Sequence, residues 1–324
     1  MIIGIAYDTK EDYSLNGDAS FFDFSTLAEV SNLKKAIESC GHKVLLLGSY
    51  KRITSLIAQN EMADIDIVFN MCEGIGSRNR EGLLPALMEA NGIPYTGTDT
   101  YGLCLSLNKI HSKIIAEYLK INTPRYFVIE KNRKIIPDVN IQFPLVVKPA
   151  YEGTSSGVTL VRNQDELLKI TQSHFRTFGQ PIICEEYIDG REFTVSLIGS
   201  GISTKPVGII ETIRKNKQPI GIYSCEDKMK GHCERSLPSD LPDTIKKQAF
   251  EWAVKLHNFI GCMDINRVDY RMDKNGTLYF LELNPLPGFS STSAFPECCR
   301  LNSILFKDAI NEVINSAAQR YSIT

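Results

Sequence analysis

Two hydrophobic periods alternate along the first hundred residues. Residues 2–6 form a continuous apolar run of strand length, followed by a polar, turn-rich stretch over 8–25. Between 26 and 40 the apolar positions (Leu27, Val30, Leu33, Ile37) fall at helical spacing, Gly41 stops the helix, and 44–47 reads as the next strand. A strand at 65–69, a helix at 83–90 and the extended Ile93-Pro94-Tyr95 complete a βαβ-type succession, which predicts a parallel sheet covered by helices. The polar loops 8–25 and 73–80 each follow the C-terminal end of a strand, where open α/β sheets bind ligands.

From about residue 98 the pattern changes. A helix is expected over 106–119, then strands at 126–129, 145–148, 182–186, 192–198 and 207–211, with a glycine turn at Gly190. The segment 214–242 reads as a long loop rich in charge, Gly and Pro, of the kind that is either a lid or a disordered segment. An amphipathic helix over 245–259 precedes two strands meeting at Lys274-Asn275-Gly276, a strong hairpin signal, and a last helix spans 305 to about 318.

Composition narrows the function classes. With 324 residues, 43% apolar and 23% charged, the chain has the balance of a globular protein of about two domains at ~150 residues each. Lys and Arg total 36 against 38 Asp and Glu, a net charge of -2, so no basic excess exists to neutralise a nucleic acid. No apolar stretch approaches the ~20 residues of a membrane span, and Met1 to Tyr7 has no basic leader or cleavage site. The nine cysteines contain no CxxC pair, and reduced thiols in a cytoplasm are expected.

Three clusters carry chemistry. In the first, Lys148 ends a strand and is followed by the small-residue loop Gly153-Thr154-Ser155-Ser156-Gly157, whose backbone amides can curl around phosphate oxygens while the lysine supplies charge. An ordinary turn with a solvated lysine explains this cluster equally well. In the second, the expected hairpin brings Asp269 and Glu282 onto neighbouring strands. With Asn284 they are hard oxygen ligands suited to Mg²⁺ against phosphates, and Arg267 at the same end can stabilise transition-state charge. In the third, 184–192, carboxylates at both ends of a strand–turn–strand suit an adenine amine and ribose hydroxyls, as would a merely solvated turn.

The order of these motifs resembles the ATP-grasp carboxylate–amine ligases, in particular the D-alanine–D-alanine ligase-like family. The likeness runs through Ile93-Pro94-Tyr95-Thr96-Gly97, Leu107-Asn108-Lys109, Val147-Lys148-Pro149, Glu152-Gly153, 185–193, 223–228 and Asn284-Pro285-Leu286-Pro287-Gly288, most of the chain beyond residue 90. It implies α/β and α+β architecture: an N-terminal Rossmann-like domain (1–95, preATP-grasp), a central ATP-grasp subdomain (96–180) and a C-terminal one (181–324) carrying the lid 214–242, with ATP clasped between two antiparallel sheets. It implies that Lys109, Lys148 and, from the lid, Lys228 contact the ATP phosphates. Glu185, Glu186, Tyr187 and Ile188 would hold the base, and Glu192 the ribose. Asp269, Glu282 and Asn284 would bind two Mg²⁺ ions, with Mn²⁺ as a substitute. Arg267 and the Gly288 amide would hold the tetrahedral intermediate, and Ser293 the carboxylate of the attacking substrate. Small amino-acid or peptide substrates and a homodimer follow from the same resemblance.

The first-substrate positions depart from the family. Leu27, Thr154 and Met229 stand where it has Glu, Ser and Tyr, and 70–81 lacks its Gly-rich acidic motif, which indicates a divergent branch. Arg78 and Arg80, on a ligand-side loop, are candidates to pair with a substrate carboxylate. His232 in the lid raises the alternative of a depsipeptide-type ligase that uses a hydroxy acid. A kinase acting on a hydroxyl and a nucleotide-binding regulator without turnover are the further alternatives. The 284–288 turn with Ser293 argues against the kinase, and the retained lysines and metal ligands argue against the regulator.

Overall fold

Three sheets organise the chain in the computed structural model, which describes residues 1–13, 24–131, 141–216, 221–222 and 231–323. The first contains β1 (Ile2–Tyr7), β2 (Lys43–Gly48) and β3 (Ile67–Met71), all parallel in the order β2-β1-β3. Its helices are α1 (Leu27–Glu38), α2 (Tyr50–Ala58) and α3 (Leu83–Ala90). Thr26 caps α1: its side chain accepts from the Glu29 amide while the Glu29 carboxylate accepts from the Thr26 amide.

A break replaces the single helix expected over 106–119. The segment is two helices, α4 (Thr100–Leu107) and α5 (Lys109–Tyr118). At the junction Asn108 leaves helical geometry with ψ 98°, and its Oδ1 accepts from the Ile110 and His111 amides. This turn makes Lys109 the first residue of α5.

The second sheet is antiparallel, β4-β7-β5-β6, from β4 (Tyr126–Ile129), β5 (Leu145–Pro149), β6 (Thr159–Val161) and β7 (Ile182–Glu186), with α6 (Gln164–Thr177) packed on it. The third is also antiparallel: β8 (Gly190–Ile198), β9 (Lys205–Arg214), β10 (Cys233–Ser236), β11 (Ile265–Asp273) and β12 (Leu278–Asn284), in the order β10-β9-β8-β11-β12. Gly190 is required where β8 meets β11, because a Cβ there would lie 1.9 Å from the Met272 carbonyl oxygen. The third sheet is covered by α7 (Asp243–Ile260), with Ala253 and Leu256 packed among Phe193, Val195, Val268 and Phe280. Part of the stretch read as a loop over 214–242 is therefore sheet: β10 pairs with β9 from Cys233 to Ser236.

Two helices close the chain, α8 (Ala294–Leu301) and α9 (Phe306–Arg320). The last one returns to the first sheet. Ile310, Val313, Ile314 and Ala317 share one core with Ile3, Ile5, Leu33 and Phe69, where each buried Val, Leu, Ile or Phe side chain contributes ~1.5–3 kcal/mol. The cysteines among the described residues are unbridged, and no helix there is long and apolar enough to cross a membrane.

Candidate active site

The β11–β12 hairpin sets two polar pairs side by side: Asp269 lies opposite Glu282, and Arg267 opposite Asn284. Asp269 accepts from Thr194 Oγ1 at 2.8 Å and from Arg267 through Nε (3.2 Å) and Nη2 (2.9 Å). Burial works against the Arg267 charge, but the neighbouring Asp269 and Glu282 outweigh it and raise the guanidinium's pKa. Asn284 donates its amide Nδ2 to Asp269 at 3.4 Å, which leaves its carbonyl oxygen as an acceptor. Among the described residues no group of three or more His, Cys, Asp or Glu is gathered to hold a metal. Two carboxylates and one amide carbonyl form a partial oxygen set, of the kind that holds Mg²⁺ only when phosphate oxygens complete the shell.

Lys109, at the start of α5, lies 3.4 Å from Glu282 and donates to the Glu152 carbonyl. On β5 and β7, Lys148 Nζ approaches Glu185 at 2.6 Å, and a second lysine, Lys113, reaches the same carboxylate at 3.1 Å. Burial alone would raise the Glu185 pKa, yet the Lys113 and Lys148 charges hold it below the usual value. For Lys113 burial dominates and pulls the ammonium down to about 8. Sequence reading missed Lys113, although it lies four residues after Lys109 on the same helical face.

Two cavities meet at this place. The smaller, about 90 Å³, is a cleft between the antiparallel sheets, lined by Lys109, Lys148, Ser155, Ser156, Glu185, Glu186, Tyr187, Ile188, Glu192, Asp269 and Glu282. Arg271 also lines it: the guanidinium donates to the Gly190 and Gly221 carbonyls, contacts Glu192 at 3.4 Å and lies over the Tyr187 ring. Two residues along β11 from Asp269, it shares that strand face, a period-2 signal the sequence offered. Glu186 turns outward to Arg125 at 2.5 Å. The loop after β5 holds Thr154 (φ 47°), Ser155 (φ 62°) and Gly157 (φ 70°) in the left-handed region, a strained arrangement for the two side-chain-bearing residues.

The larger cavity, about 380 Å³, is lined by Lys109, Glu152, Thr154, Arg267, Glu282, Asn284, Gly288 and Ser293 together with Phe24, Thr26, Glu29, Glu73, Arg80 and Glu81. Ser293 Oγ lies 2.7 Å from Ser290 Oγ, and a Cβ on Gly288 would approach it to 3.0 Å. Lys109, Glu152 and Glu282 line both cavities.

The N-terminal wall differs from the sequence expectation. Leu27, aligned with a substrate-binding position, is 69% exposed and lines neither cavity, whereas Glu29 lines the larger one. The capping box that fixes Glu29, Thr-x-x-Glu, was a signal in the sequence. Arg80 is buried and already engaged by Glu73 at 2.8 Å and Glu81 at 3.3 Å, while Arg78 lines a third, neighbouring cavity instead. His232 is exposed beside β10 and lines none of the three cavities. Lys228 and Met229 lie outside the described residues.

A protein-family model described as "D-ala D-ala ligase C-terminus" matches residues 115–315. The chain is 31% identical over 303 residues to the D-alanine–D-alanine ligase of Wolbachia pipientis wMel, spanning 88% of this chain and 93% of that one. It is 29% identical over 289 residues to the corresponding ligase of Geotalea uraniireducens, covering 87% and 89% of the two chains. Among solved structures, the D-alanine–D-alanine ligase of Bacillus anthracis complexed with ATP superposes with a TM-score of 0.79 over 99% of both chains, at 21% identity.

Proposed function

The chain belongs to the D-alanine–D-alanine ligase family of ATP-grasp enzymes, an ATP-dependent ligase family, and from that premise we propose that it activates a carboxylate with ATP and couples it to an amine. The observation that carries the reading is the shared wall of the two cavities. Lys109, Glu152 and Glu282 face both the cleft between the sheets and the larger chamber, so a γ-phosphate in one lies beside an acid in the other.

In this reading ATP occupies the cleft. Glu185, kept ionised by two lysines, accepts from the adenine amine, with Glu186, Tyr187 and Ile188 around the base and Glu192 on the ribose. Lys109, Lys148 and Lys228 neutralise the phosphates. Asp269, Glu282 and Asn284 are suited to hold two Mg²⁺ ions, or Mn²⁺ in their place, which would further neutralise the triphosphate. A carboxylate oxygen attacks the γ-phosphorus, ADP leaves, and an acylphosphate forms. The amine then attacks the acyl carbon, and the oxyanion is held by Arg267 and the Gly288 amide. Collapse expels phosphate and the amine loses a proton. Ser293, with Ser290 beside it, holds the acceptor's carboxylate. Glu29 and Thr154 face the donor, where the Glu29 carboxylate suits an ammonium group and the Thr154 hydroxyl can hydrogen-bond it.

The relatives' names make D-alanine the first amino acid to test as donor and acceptor. The experiment measures ADP release with amino acids and dipeptides singly and in pairs, with mass spectrometry of the product. Release that requires both an acid and an amine, with a new amide in the product, is expected; ATP binding without release under every pair would favour the regulator, and an ester product the hydroxy-acid alternative. A homodimer is part of the proposal, supported by the exposed apolar side chains Ile114, Tyr118 and Phe259 on α5 and α7, and light scattering tests it.

A further inference from the structure

Beyond the ligation chamber lies a second cavity of about 380 Å³, as large as the first. Three residues belong to both: Phe24, Arg80 and Glu152. They line the border between the two cavities, a neck for any ligand that spans both, and each is held by further contacts. Phe24 stacks on Tyr13 with centroids 5.1 Å apart, and Tyr13 donates its hydroxyl to the buried Asp8 at 2.8 Å. Asp8 also accepts from the Gly74 amide at 2.8 Å, so one carboxylate ties together the loops after β1 and β3. Arg80 is gripped by Glu73 and Glu81. Glu152 accepts from Gln180 Nε2 at 2.6 Å, and Gln180 Oε1 accepts in turn from the Tyr151 amide. A neck so cross-linked is preformed, which lowers the cost of ordering it around a ligand.

The chamber behind the neck is amphipathic. Tyr151 and Phe178 give it aromatic surface, Gly76 and Gly179 narrow no part of it with side chains, and Arg78 stands on its wall. Arg80 spends its charge on two carboxylates, whereas Arg78 forms no ion pair with any described residue. The volume matters as well. A site of ~300 Å³ already accepts a small organic ligand, so the first chamber is ample for two single amino acids and the second is surplus to them.

We propose that the activated acid is longer than one amino acid: its reacting carboxylate sits at Lys109 and Glu282, its chain passes between Phe24, Arg80 and Glu152, and a distal anionic group pairs with Arg78 in the second chamber. An acidic dipeptide such as Asp-Ala has this layout, with its ammonium at the neck beside Glu152 and its side-chain carboxylate beyond. The inference rests on the ligase reading and specifies its donor.

The test compares alanine, Ala-Ala and Asp-Ala, each in the all-D and all-L forms, as donors in ADP-release assays of the full chain with a fixed acceptor. The expected order of KM is Asp-Ala below Ala-Ala below alanine. Arg78→Gln erases the preference for Asp-Ala over Ala-Ala, about tenfold for a charge-assisted carboxylate pair, with kcat little changed. Thr177→Trp, placed to fill the second chamber, raises KM for both dipeptides at least tenfold more than for alanine. Equal KM for alanine and both dipeptides, or an Asp-Ala preference that survives Arg78→Gln, overturns the donor assignment and leaves the ligase reading intact. If no acid supports ADP release, the ligase reading fails. Calorimetry of Asp-Ala against wild type and Arg78→Gln then decides the chamber alone: binding lost in the variant supports it, and no binding to either overturns it.

Discussion

Lys113 has no exposed side-chain surface, and its ammonium lies 2.7 Å from Thr123 Oγ1 and 3.1 Å from Glu185. Thr123 passes the interaction on to the Phe280 carbonyl, so the lysine joins α5 to β12 as well as to the cleft. Its pKa is depressed to about 8, first by burial. Below pH 8 the charge is present and Glu185 is held ionised as an acceptor. As pH rises through 8, the lysine loses its proton and Glu185 keeps only Lys148. ATP affinity measured by calorimetry therefore weakens between pH 7.5 and 9.5, and Lys113→Met removes that dependence while raising Kd about tenfold at pH 7. Stability moves the other way: between 8 and ~10.4 the unfolded chain binds the extra proton, so this group's contribution to ΔG of unfolding rises with pH. A pH-independent Kd in the wild type would refute the coupling. Arg267 permits a sharper kinetic test, because lysine cannot reproduce its two-pronged grip on Asp269. Arg267→Lys is expected to lower kcat roughly 100- to 1,000-fold with KM for ATP little changed.

At the scale of elements, α7 is held to β11 partly by a neutral histidine. His257 is fully buried, faces Asn266 at 3.2 Å, and burial lowers its pKa to about 4. Its protonation is thus deferred in the folded state while the unfolded chain takes up a proton near 6.5. Stability falls as pH drops from 6.5 to 4, by ~3 kcal/mol at the lower end, and His257→Gln flattens that slope in urea titrations. The hairpin that pairs Asp269 with Glu282 was legible in the sequence, because Asn275-Gly276 fixes a turn between two strongly patterned strands and Gly276 takes φ 83°. The break at Asn108 was not, since apolar residues continue across it and only a side-chain cap interrupts the helix. Strand β10 was hidden for a different reason: Cys-Glu-Arg-Ser has no alternation, and its extended form comes from pairing with the edge of β9. Glu29 escaped because the residues between β1 and α1 shift any fixed alignment, while the local capping box marks the right place.

At the scale of the molecule, one buried carboxylate joins distant parts of the chain. Asp264, at φ 62°, accepts from the Gly97 amide (2.8 Å), Ser200 (3.0 Å), Ser316 (2.7 Å) and Arg320 (2.6 Å). Arg320, at the end of α9, also donates to the Tyr95 carbonyl. Asp264→Ala would remove that arginine's carboxylate partner and strain a left-handed backbone, so a loss of about 3–5 kcal/mol is expected in thermal or urea unfolding. Asp264→Asn, which tolerates the conformation and keeps an acceptor, loses less. By this tie and the core under α9, the last helix holds the first sheet, and the loops after β1 and β3, against the hairpin that carries Asp269 and Glu282. In the proposed reaction, that alignment would let one wall serve a nucleotide and an acid together. The direct measurement labels both carboxylate oxygens of the donor acid with oxygen-18 and follows the inorganic phosphate released during amide formation. Activation through an acylphosphate transfers one labelled oxygen to each phosphate; phosphate free of label, formed at the same rate as product, would contradict the account.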